Sequence, residues 1–355
     1  MKRIIGTLVL TIVAALCALL NLSAQDGEKQ LKESSSVAVD WSKGARKVRA
    51  LTEHTSWVTS VSYSPDGQYI VTGSGDKTAK LWRASDGACL HTLTGHTKWV
   101  NYAAFSPDGQ YIATGSKDRS VKLWRASDGA CIRTFSGHTN DLNSAVFSPD
   151  GQYIATGSDD GTARLWSVPD GSEVAILSGH SERVKSVAFS PDGQYVATGS
   201  LDDTAKLWRV PNGECVRTLA GHTSWVLSVA YSPDGEYLAT GSDDNTAKLW
   251  RVSDGACIRT FTGHTSYLNS VAYSPDGQYI ATGSLNDTAK IWRVSDGACV
   301  NTLSDFKGEV LGVVWSPDGC YFACVNGGRW SHDIFYGWRF VDASAYEAVI
   351  FEPAD

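Results

Sequence analysis

The sequence has little methionine, no surplus of positive charge and no block of like charges. It contains one Met in 355 residues, and its 31 Lys and Arg residues are outnumbered by 38 Asp and Glu residues, for a formal net charge of −7 at pH 7. General nucleic-acid binding needs a basic surface to contact phosphates, so no nucleic-acid partner is predicted. The absence of a like-charge run also excludes a charged tail.

Long hydrophobic runs are missing too, except at the N-terminus. Residues 4–22 are almost wholly apolar, follow the basic pair Lys2-Arg3 and precede the small residue Ala24. This order predicts a secretory signal peptide over residues 1–24, and hence a secreted or periplasmic protein. The apolar run is also long enough to span a bilayer, so a membrane anchor at residues 4–22 is the alternative. Residues 25–43 are predicted to be a polar linker.

A 42-residue repeat occupies the rest of the chain. Ser-Pro-Asp-Gly recurs every 42 residues, beginning at Ser64, Ser106, Ser148, Ser190, Ser232, Ser274 and Ser316. A His and a Trp recur in the same step over six of these copies, starting at His54 and Trp82. A fixed period of this length is the signature of a repeat architecture.

Each repeat predicts four short strands. In the first copy, residues 57–63 alternate apolar and polar side chains, which favours a half-buried strand. Ser-Pro-Asp-Gly then forms a turn, because Pro presets φ and Gly supplies a positive φ. Further strands are predicted at 69–72, 78–82 and 89–93. One such antiparallel sheet cannot bury its own faces, so we expect the sheets to stack radially.

These motifs resemble the WD-repeat family. Gly-His, Ser-Pro-Asp-Gly, Asp-x-Thr or Ser, and Leu-Trp follow one another in each typical copy, for example at Gly95-His96, Ser106–Gly109, Asp118–Ser120 and Leu123-Trp124. The residue after the Trp is Arg or Ser here, where the family often has Asp. The resemblance covers about residues 44–355. It implies an all-β fold, a seven-bladed β-propeller of four-stranded antiparallel blades.

Two segments compete to complete the seventh blade. Residues 46–52 align with the fourth strand of a blade, one period before residues 89–94. In the family, such an N-terminal strand often completes the last blade, and we favour this closure. The segment from Tyr346 to Phe351 could serve as the same strand.

A His, a Thr, an Asp and a Trp recur as a set in five repeats. The sets are His54/Thr72/Asp76/Trp82, His96/Thr114/Asp118/Trp124, His138/Thr156/Asp160/Trp166, His180/Thr198/Asp202/Trp208 and His222/Thr240/Asp244/Trp250. The composition suggests a catalytic triad, but an enzyme does not need five. The resemblance implies a structural tetrad of buried, mutually hydrogen-bonded groups. In the sixth copy Asn286 replaces the Asp, and in the seventh Phe306 and Cys324 replace the His and the Thr.

The cysteines are predicted to be free thiols. Cys89, Cys131, Cys215, Cys257 and Cys299 share one register in the outermost strands of separate blades, too far apart for disulfides. Export usually favours disulfides, so this prediction conflicts with an oxidising destination. The tetrad His residues also lie in separate blades, so no metal site is predicted.

Three positions vary strongly between otherwise similar repeats. The third residue after the His is Trp57, Trp99, Asp141, Arg183, Trp225 or Tyr267, with Glu309 at the matching position of the seventh repeat. The fifth residue includes Thr59, Asn101, Asn143, Lys185, Leu227 and Asn269. The residue before the tetrad Asp includes Lys117, Asp159 and Asp243. All three belong to loops that join strand four to strand one or strand two to strand three. In the family these loops share the top rim, the usual partner-binding surface. The alternative is that the Trp side chains fill gaps between blades.

The seventh repeat has a longer loop between its second and third strands. The distance from Gly319 to Trp338 exceeds the matching distance from Gly277 to Trp292 by four residues. Long loops on rigid scaffolds often carry function, so Arg329, Trp330, His332 and Asp333 are a second candidate site. The alternative is a tolerated insertion.

The sequence therefore predicts a monomeric, non-catalytic scaffold that binds a protein or peptide outside the cytoplasm, without a cofactor. Glycan binding is an alternative, because exposed Trp and Tyr rings also stack on sugars. A hydrolase at the channel mouth is the third possibility, although only Asp141, Asp159 and Asp243 gather there. Membrane contact is expected only if the N-terminal segment is not cleaved.

Overall fold

The structure is a computed structural model, which describes residues 45–304, 306, 308–326, 330–333, 337–340 and 347–353. The predicted signal peptide and linker lie outside the described residues, as does Arg329. All regular secondary structure in the described part is β-strand, and no helix there could cross a membrane.

Six blades are consecutive four-stranded antiparallel sheets, with the first strand innermost at the central channel. Blades one to three comprise β2 (Val58–Tyr63), β3 (Tyr69–Ser74), β4 (Ala79–Arg83), β5 (Cys89–Leu93); β6 (Val100–Phe105), β7 (Tyr111–Ser116), β8 (Ser120–Arg125), β9 (Cys131–Ser136); β10 (Leu142–Phe147), β11 (Tyr153–Ser158), β12 (Thr162–Ser167), β13 (Glu173–Ser178). Blades four to six comprise β14 (Val184–Phe189), β15 (Tyr195–Ser200), β16 (Thr204–Arg209), β17 (Cys215–Ala220); β18 (Val226–Tyr231), β19 (Tyr237–Ser242), β20 (Ala247–Arg251), β21 (Cys257–Phe261); β22 (Leu268–Tyr273), β23 (Tyr279–Ser284), β24 (Thr288–Arg293), β25 (Cys299–Leu303).

The seventh blade joins the two ends of the chain. Its order is β26 (Val310–Trp315), β27 (Phe322–Asn326), β30 (Glu347–Pro353) and, outermost, β1 (Ala45–Leu51). The N-terminal strand therefore closes the ring, as favoured from its alignment. The competing C-terminal segment is the third strand of the same blade, between β27 and β1.

The expected position of the third strand in blade seven is wrong. Trp338 lies in β29 (Gly337–Phe340), which pairs with β28 (Trp330–Asp333) in a separate two-stranded sheet. Phe351 takes the tetrad Trp register, because it pairs with Phe322 as Trp82 pairs with Ile70. The inserted segment therefore extends from residue 327 to residue 346, not over four extra residues. This segment forms strands of its own, and for that reason Trp338 resembled the Trp of a third blade strand.

The core lies between neighbouring blades. In one such cluster, Leu165 and Leu177 of blade three pack with Val184, Val187 and Trp208 of blade four. The second strand of each of the first six blades is buried on both faces, whereas side chains of the outermost strands are more exposed. Each blade thus depends on its neighbours to bury its apolar side chains. Residues in the loops at the blade ends lie outside this core, so they are free to differ between repeats.

Candidate binding surface on the top rim

The tetrads are chains of hydrogen bonds inside the blades. In blade five, Trp250 Nε1 donates to Thr240 Oγ1 at 2.8 Å, His222 Nε2 lies 2.7 Å from the same hydroxyl, and His222 Nδ1 lies 2.7 Å from Asp244 Oδ2. The other four sets have the same geometry, with all these distances between 2.7 and 2.9 Å. Each hydroxyl is thus fixed between two partners.

The tetrad Thr residues lie too deep to belong to a surface site. None of them is exposed at all, and the five positions are Thr72, Thr114, Thr156, Thr198 and Thr240. In Thr72, Thr114 and Thr198, the hydroxyl accepts from the indole N–H at 2.8 Å and lies 2.7 to 2.8 Å from the imidazole. These Thr residues, which the resemblance placed in structural tetrads, lie in the blade core. They are closed to a substrate and to a partner, unlike the candidates on the rim.

Burial and hydrogen bonding shift the pKa values of the tetrads. Burial alone would raise the pKa of Asp160, but hydrogen bonds from Thr162 and His138 outweigh it and lower this pKa to about 2. Burial lowers the pKa of His138, and the partly compensating contact with Asp160 does not reverse the shift. The folded blade therefore favours a neutral imidazole donating to an ionised carboxylate.

Blades six and seven depart from this arrangement. His264 Nδ1 lies 3.3 Å from Asn286 Oδ1, and burial without a carboxylate partner lowers the pKa of His264 to about 4. In blade seven, the rings of Phe306 and Phe351 pack edge to face with centroids 5.5 Å apart, and Cys324 is fully buried. Blade seven thus replaces the hydrogen-bonded set with an apolar one.

The three variable positions lie together at one end of the blades, called here the top rim. Trp57 of blade one and Trp99 of blade two are half-buried and pack edge to face, with ring centroids 5.5 Å apart. Lys117 Nζ lies 4.1 Å from the centroid of the Trp99 ring, a cation–π contact. These two Trp side chains therefore bridge neighbouring blades as well as facing the rim.

A second group connects blades three and four. Asp159 Oδ1 lies 3.3 Å from Lys185 Nζ, and Asp159 Oδ2 lies 3.4 Å from Arg183 Nη1. Asn143 Nδ2 donates a hydrogen bond to Asp159 Oδ1 at 2.7 Å. Burial lowers the pKa of Lys185, and the charge of Asp159 opposes that shift. Asp141 lies beside this group, where its carbonyl accepts a hydrogen bond from the backbone N–H of Asp159. The carboxylate of Asp159 is thus neutralised within the protein.

The residues at the fifth position after each tetrad His line the top of the central channel. Thr59, Asn101 and Asn143 each donate to a backbone carbonyl of the next blade, at 2.5, 2.7 and 2.9 Å. The channel has a volume of about 550 Å³, and Lys185, Leu227 and Asn269 lie at the same level. Several of these side chains therefore hold adjacent blades together, a role that their sequence variation did not reveal.

Blades five to seven have a different rim, which we call the acidic arc and define as Trp225, Asp243, Tyr267, Asp287 and Glu309. Trp225 and Tyr267 are 45% and 42% exposed. Asp243 Oδ2 accepts a hydrogen bond from Ser224 at 2.7 Å, while Asp243 Oδ1 is buried without a hydrogen-bond partner. Burial and the nearby charge of Asp287 raise the pKa of Glu309 to about 7.

Sequence reasoning missed one rim position, the residue after the tetrad Asp. It adopts a positive φ at Lys77, Arg119, Asp203, Asn245 and Asp287, and so forms the tip of the loop between strands two and three. Its charge varies from blade to blade, and this variation was the signal available in the sequence.

The candidate loop of blade seven is only partly described. Trp330, His332 and Asp333 lie in β28, within the segment that leaves β27 at the top end. Whether they belong to a site stays a prediction. No cluster of three or more His, Cys, Asp or Glu side chains suited to a metal occurs in the part of the chain that the structure describes.

A family model matches most of the chain. The model described as "WD domain, G-beta repeat" (WD40) matches residues 45–83, 87–125, 129–167, 171–209, 213–251, 255–293 and 297–333. The chain belongs to the WD40 repeat family. Each matched WD40 segment begins with the outermost strand of one blade and continues into the next, so the first match starts with β1 of blade seven. Members of this family are generally non-catalytic scaffolds that bind protein partners.

Relatives of known name match over a single repeat. The chain is 54% identical over 39 residues to the Ribosome biogenesis protein BOP1 homolog of Drosophila grimshawi and to that of Drosophila ananassae, and 51% identical to that of Drosophila melanogaster. The match covers 11% of this chain and 5% of each relative. Similarity over one WD40 repeat extends to the repeat pattern alone.

Proposed function

We propose that this WD40 protein is a non-catalytic scaffold that binds a protein or peptide partner on its top rim. The observation that carries the proposal is the pair Trp225 and Tyr267, which are exposed on neighbouring blades at a position where the repeats diverge. Large exposed aromatic side chains beside charged ones are typical of interface hot spots. The BOP1 relatives share one repeat with this chain, so ribosome biogenesis is not part of the proposal.

The chemistry of the described side chains supports binding over catalysis. The tetrad Thr and His groups are buried in fixed hydrogen bonds, and Asp159 at the channel mouth already has two cationic partners. A hydrolase needs a nucleophile or general base that a substrate can reach. The channel-mouth hydrolase is therefore the weaker alternative.

The proposal is tested by selecting short random peptides, displayed on phage, against the full-length protein. We expect enriched peptides to lose binding to a Trp225→Ala/Tyr267→Ala variant with an unchanged melting temperature. Tyr321→Ala is the matched control, because Tyr321 is an exposed aromatic beside the Ser-Pro-Asp-Gly turn of blade seven, at the opposite end of the blades. Equal peptide capture by the wild type and the double variant would refute a top-rim site.

Glycan binding is the second candidate, because Trp225 and Tyr267 also offer exposed rings for stacking on sugars. A glycan array probed with the wild type and the double variant distinguishes the two. Signals that disappear in the double variant would favour glycans, and a blank array would remove this candidate.

We also propose that the protein is exported from the cytoplasm. The support is the order of basic, apolar and small residues over residues 1–24. Intact mass spectrometry of the chain expressed in a secreting host tests this. A mature product that begins at Gln25 supports a cleaved signal, a membrane-bound product with Met1 supports the anchor, and a cytoplasmic product overturns export. The cysteines at 89, 131, 215, 257, 299, 320 and 324 are free thiols, so export would yield a propeller without disulfides among them.

A further inference from the structure

Blades one to four supply their own cations to the rim. The Trp99 ring has Lys117 above it, and the Asp159 carboxylate has both Arg183 and Lys185 beside it. Arg183 and Lys185 belong to the blade that follows Asp159, at the third and fifth positions after its tetrad His. A carboxylate at the position before the tetrad Asp is therefore neutralised by side chains of the next blade, as Asp159 of blade three shows.

Asp243 occupies the same register in blade five, and the next blade does not neutralise it. Tyr267 and Asn269 of blade six stand at the positions that Arg183 and Lys185 occupy in blade four. One carboxylate oxygen of Asp243 accepts a hydrogen bond from Ser224, and the other is buried without a partner. Unlike Asp159, Asp243 has no ion pair with a Lys or Arg among the described residues, so a cation brought from outside to its carboxylate would gain more here than at Asp159.

The imbalance extends around this side of the rim. Among the described residues, the variable rim positions of blades five to seven include no Lys or Arg. The loop tips carry Lys77 and Arg119 on blades one and two, but Asp203, Asn245 and Asp287 on blades four, five and six. Glu309 of blade seven lies close enough to Asp287 for that charge to contribute to its raised pKa. A cation bound beside Glu309 would offset the repulsion from Asp287 that contributes to the raised pKa of Glu309.

Exposed aromatic rings complete the surface. Trp225 and Tyr267 occupy the register of Trp57 and Trp99, and in blade two Lys117 already shows that a ring in this register accepts a cation on its face. Two exposed rings beside an unneutralised carboxylate match a side chain with a long apolar stem and a cationic head.

We propose that the acidic arc binds a lysine or arginine side chain of the partner, with the cation beside Asp243 and the stem against Trp225 and Tyr267. This inference rests on the proposed function, because it names the partner group that the top rim recognises. It assigns the specificity of the rim to blades five to seven, whereas the Trp99 ring and the Asp159 carboxylate already have cations of the protein itself.

The test uses three libraries of displayed random peptides that differ only at one central position, which is Lys or Arg, Glu, or norleucine. We expect the wild type to retain the Lys or Arg library preferentially, and an Asp243→Asn/Glu309→Gln variant to bind these peptides about tenfold or more weakly. Asp128→Asn/Asp170→Asn is the charge-matched control, because both are exposed carboxylates in the turns between strands three and four of blades two and three, away from the acidic arc.

A second variant places two cations of the protein itself beside Asp243. Tyr267→Arg/Asn269→Lys copies the register of Arg183 and Lys185 onto blade six. We expect it to raise the melting temperature, because Asp243 gains partners, and to abolish the preference for Lys or Arg peptides. Wild-type binding with no preference among the three libraries would overturn this inference and leave the proposed function standing. A wild type that retains none of the libraries would refute the proposed function itself.

Discussion

At the scale of single residues, the buried His side chains of blades three to six stabilise the propeller most when they are neutral. Burial lowers the pKa of His138, His180, His222 and His264 in the folded protein. A group with a lowered folded-state pKa binds fewer protons than in the unfolded chain, so its contribution is complete above the unfolded pKa, about 6.5, and is lost as pH falls. The tetrad Asp groups, whose pKa values are also lowered, add a second loss below about pH 4.

The first prediction concerns His264, which lacks a carboxylate partner. Its pKa of about 4 means that lowering the pH from 7 to 5 should remove about 2 kcal/mol of stability through this residue. Asn286→Asp should raise the pKa of His264 and reduce that loss. Denaturant unfolding of both proteins at pH 7 and pH 5 measures the difference. Equal losses in the two proteins would contradict this account of blade six.

The second prediction concerns Trp166, which is 3% exposed and donates a hydrogen bond to Thr156 at 2.9 Å. Trp166→Ala should lower the free energy of unfolding by roughly 3–5 kcal/mol, because it removes a buried ring and leaves a cavity. Trp225→Ala, at an exposed rim position, should change it by less than about 0.5 kcal/mol. An unchanged unfolding midpoint for Trp166→Ala would show that the tetrad Trp is not part of the core.

At the scale of strands and blades, the sequence predicted the elements well wherever the repeat was regular. Residues 89–93 form β5 as expected, and 57–63 differs from β2 by one residue, because turn motifs bound each strand. The third strand of blade seven could not be placed from sequence motifs, because Phe351 occupies the register in which the other blades have their tetrad Trp. Trp330 and Trp338 lie four residues on either side of the expected position, and both belong to a separate two-stranded hairpin.

The third prediction concerns Cys324, which occupies the Thr register of blade seven. Cys324→Thr restores the residue of the other blades, but neither a His nor a Trp is present there to pair with the hydroxyl, because Phe306 and Phe351 replace them. We expect it to destabilise the protein by about 1–3 kcal/mol, the cost of an unsatisfied buried polar group. The exposed Cys299→Thr is the control. A stability gain from Cys324→Thr would mean that the apolar set of blade seven is not a matched unit.

At the scale of the whole molecule, the rim shows where sequence reasoning stops. Variation between repeats located the loops that form the rim, because aligning the seven copies within one chain shows which positions vary and which do not. It could not show that Asn101 and Asn143 bond to the next blade, or that Lys117 lies over Trp99. Those contacts join residues of different blades or loops, and their distances follow from the geometry of the closed ring.

The last prediction concerns that closure. β1 pairs along β30, and Leu51 is buried with Val58, Trp82 and Ile350 in the cluster between blades seven and one. Deleting residues 1–51 would expose the edge of β30 and remove Leu51, so we expect a loss of at least about 3 kcal/mol. Deleting residues 1–44 keeps β1 and is the matched control. The measurement is the thermal unfolding midpoint of both truncated proteins. We expect a lower midpoint only for the deletion of residues 1–51, because only that deletion removes the strand that closes the ring. Equal midpoints would mean that blade seven holds the ring together through its three inner strands alone.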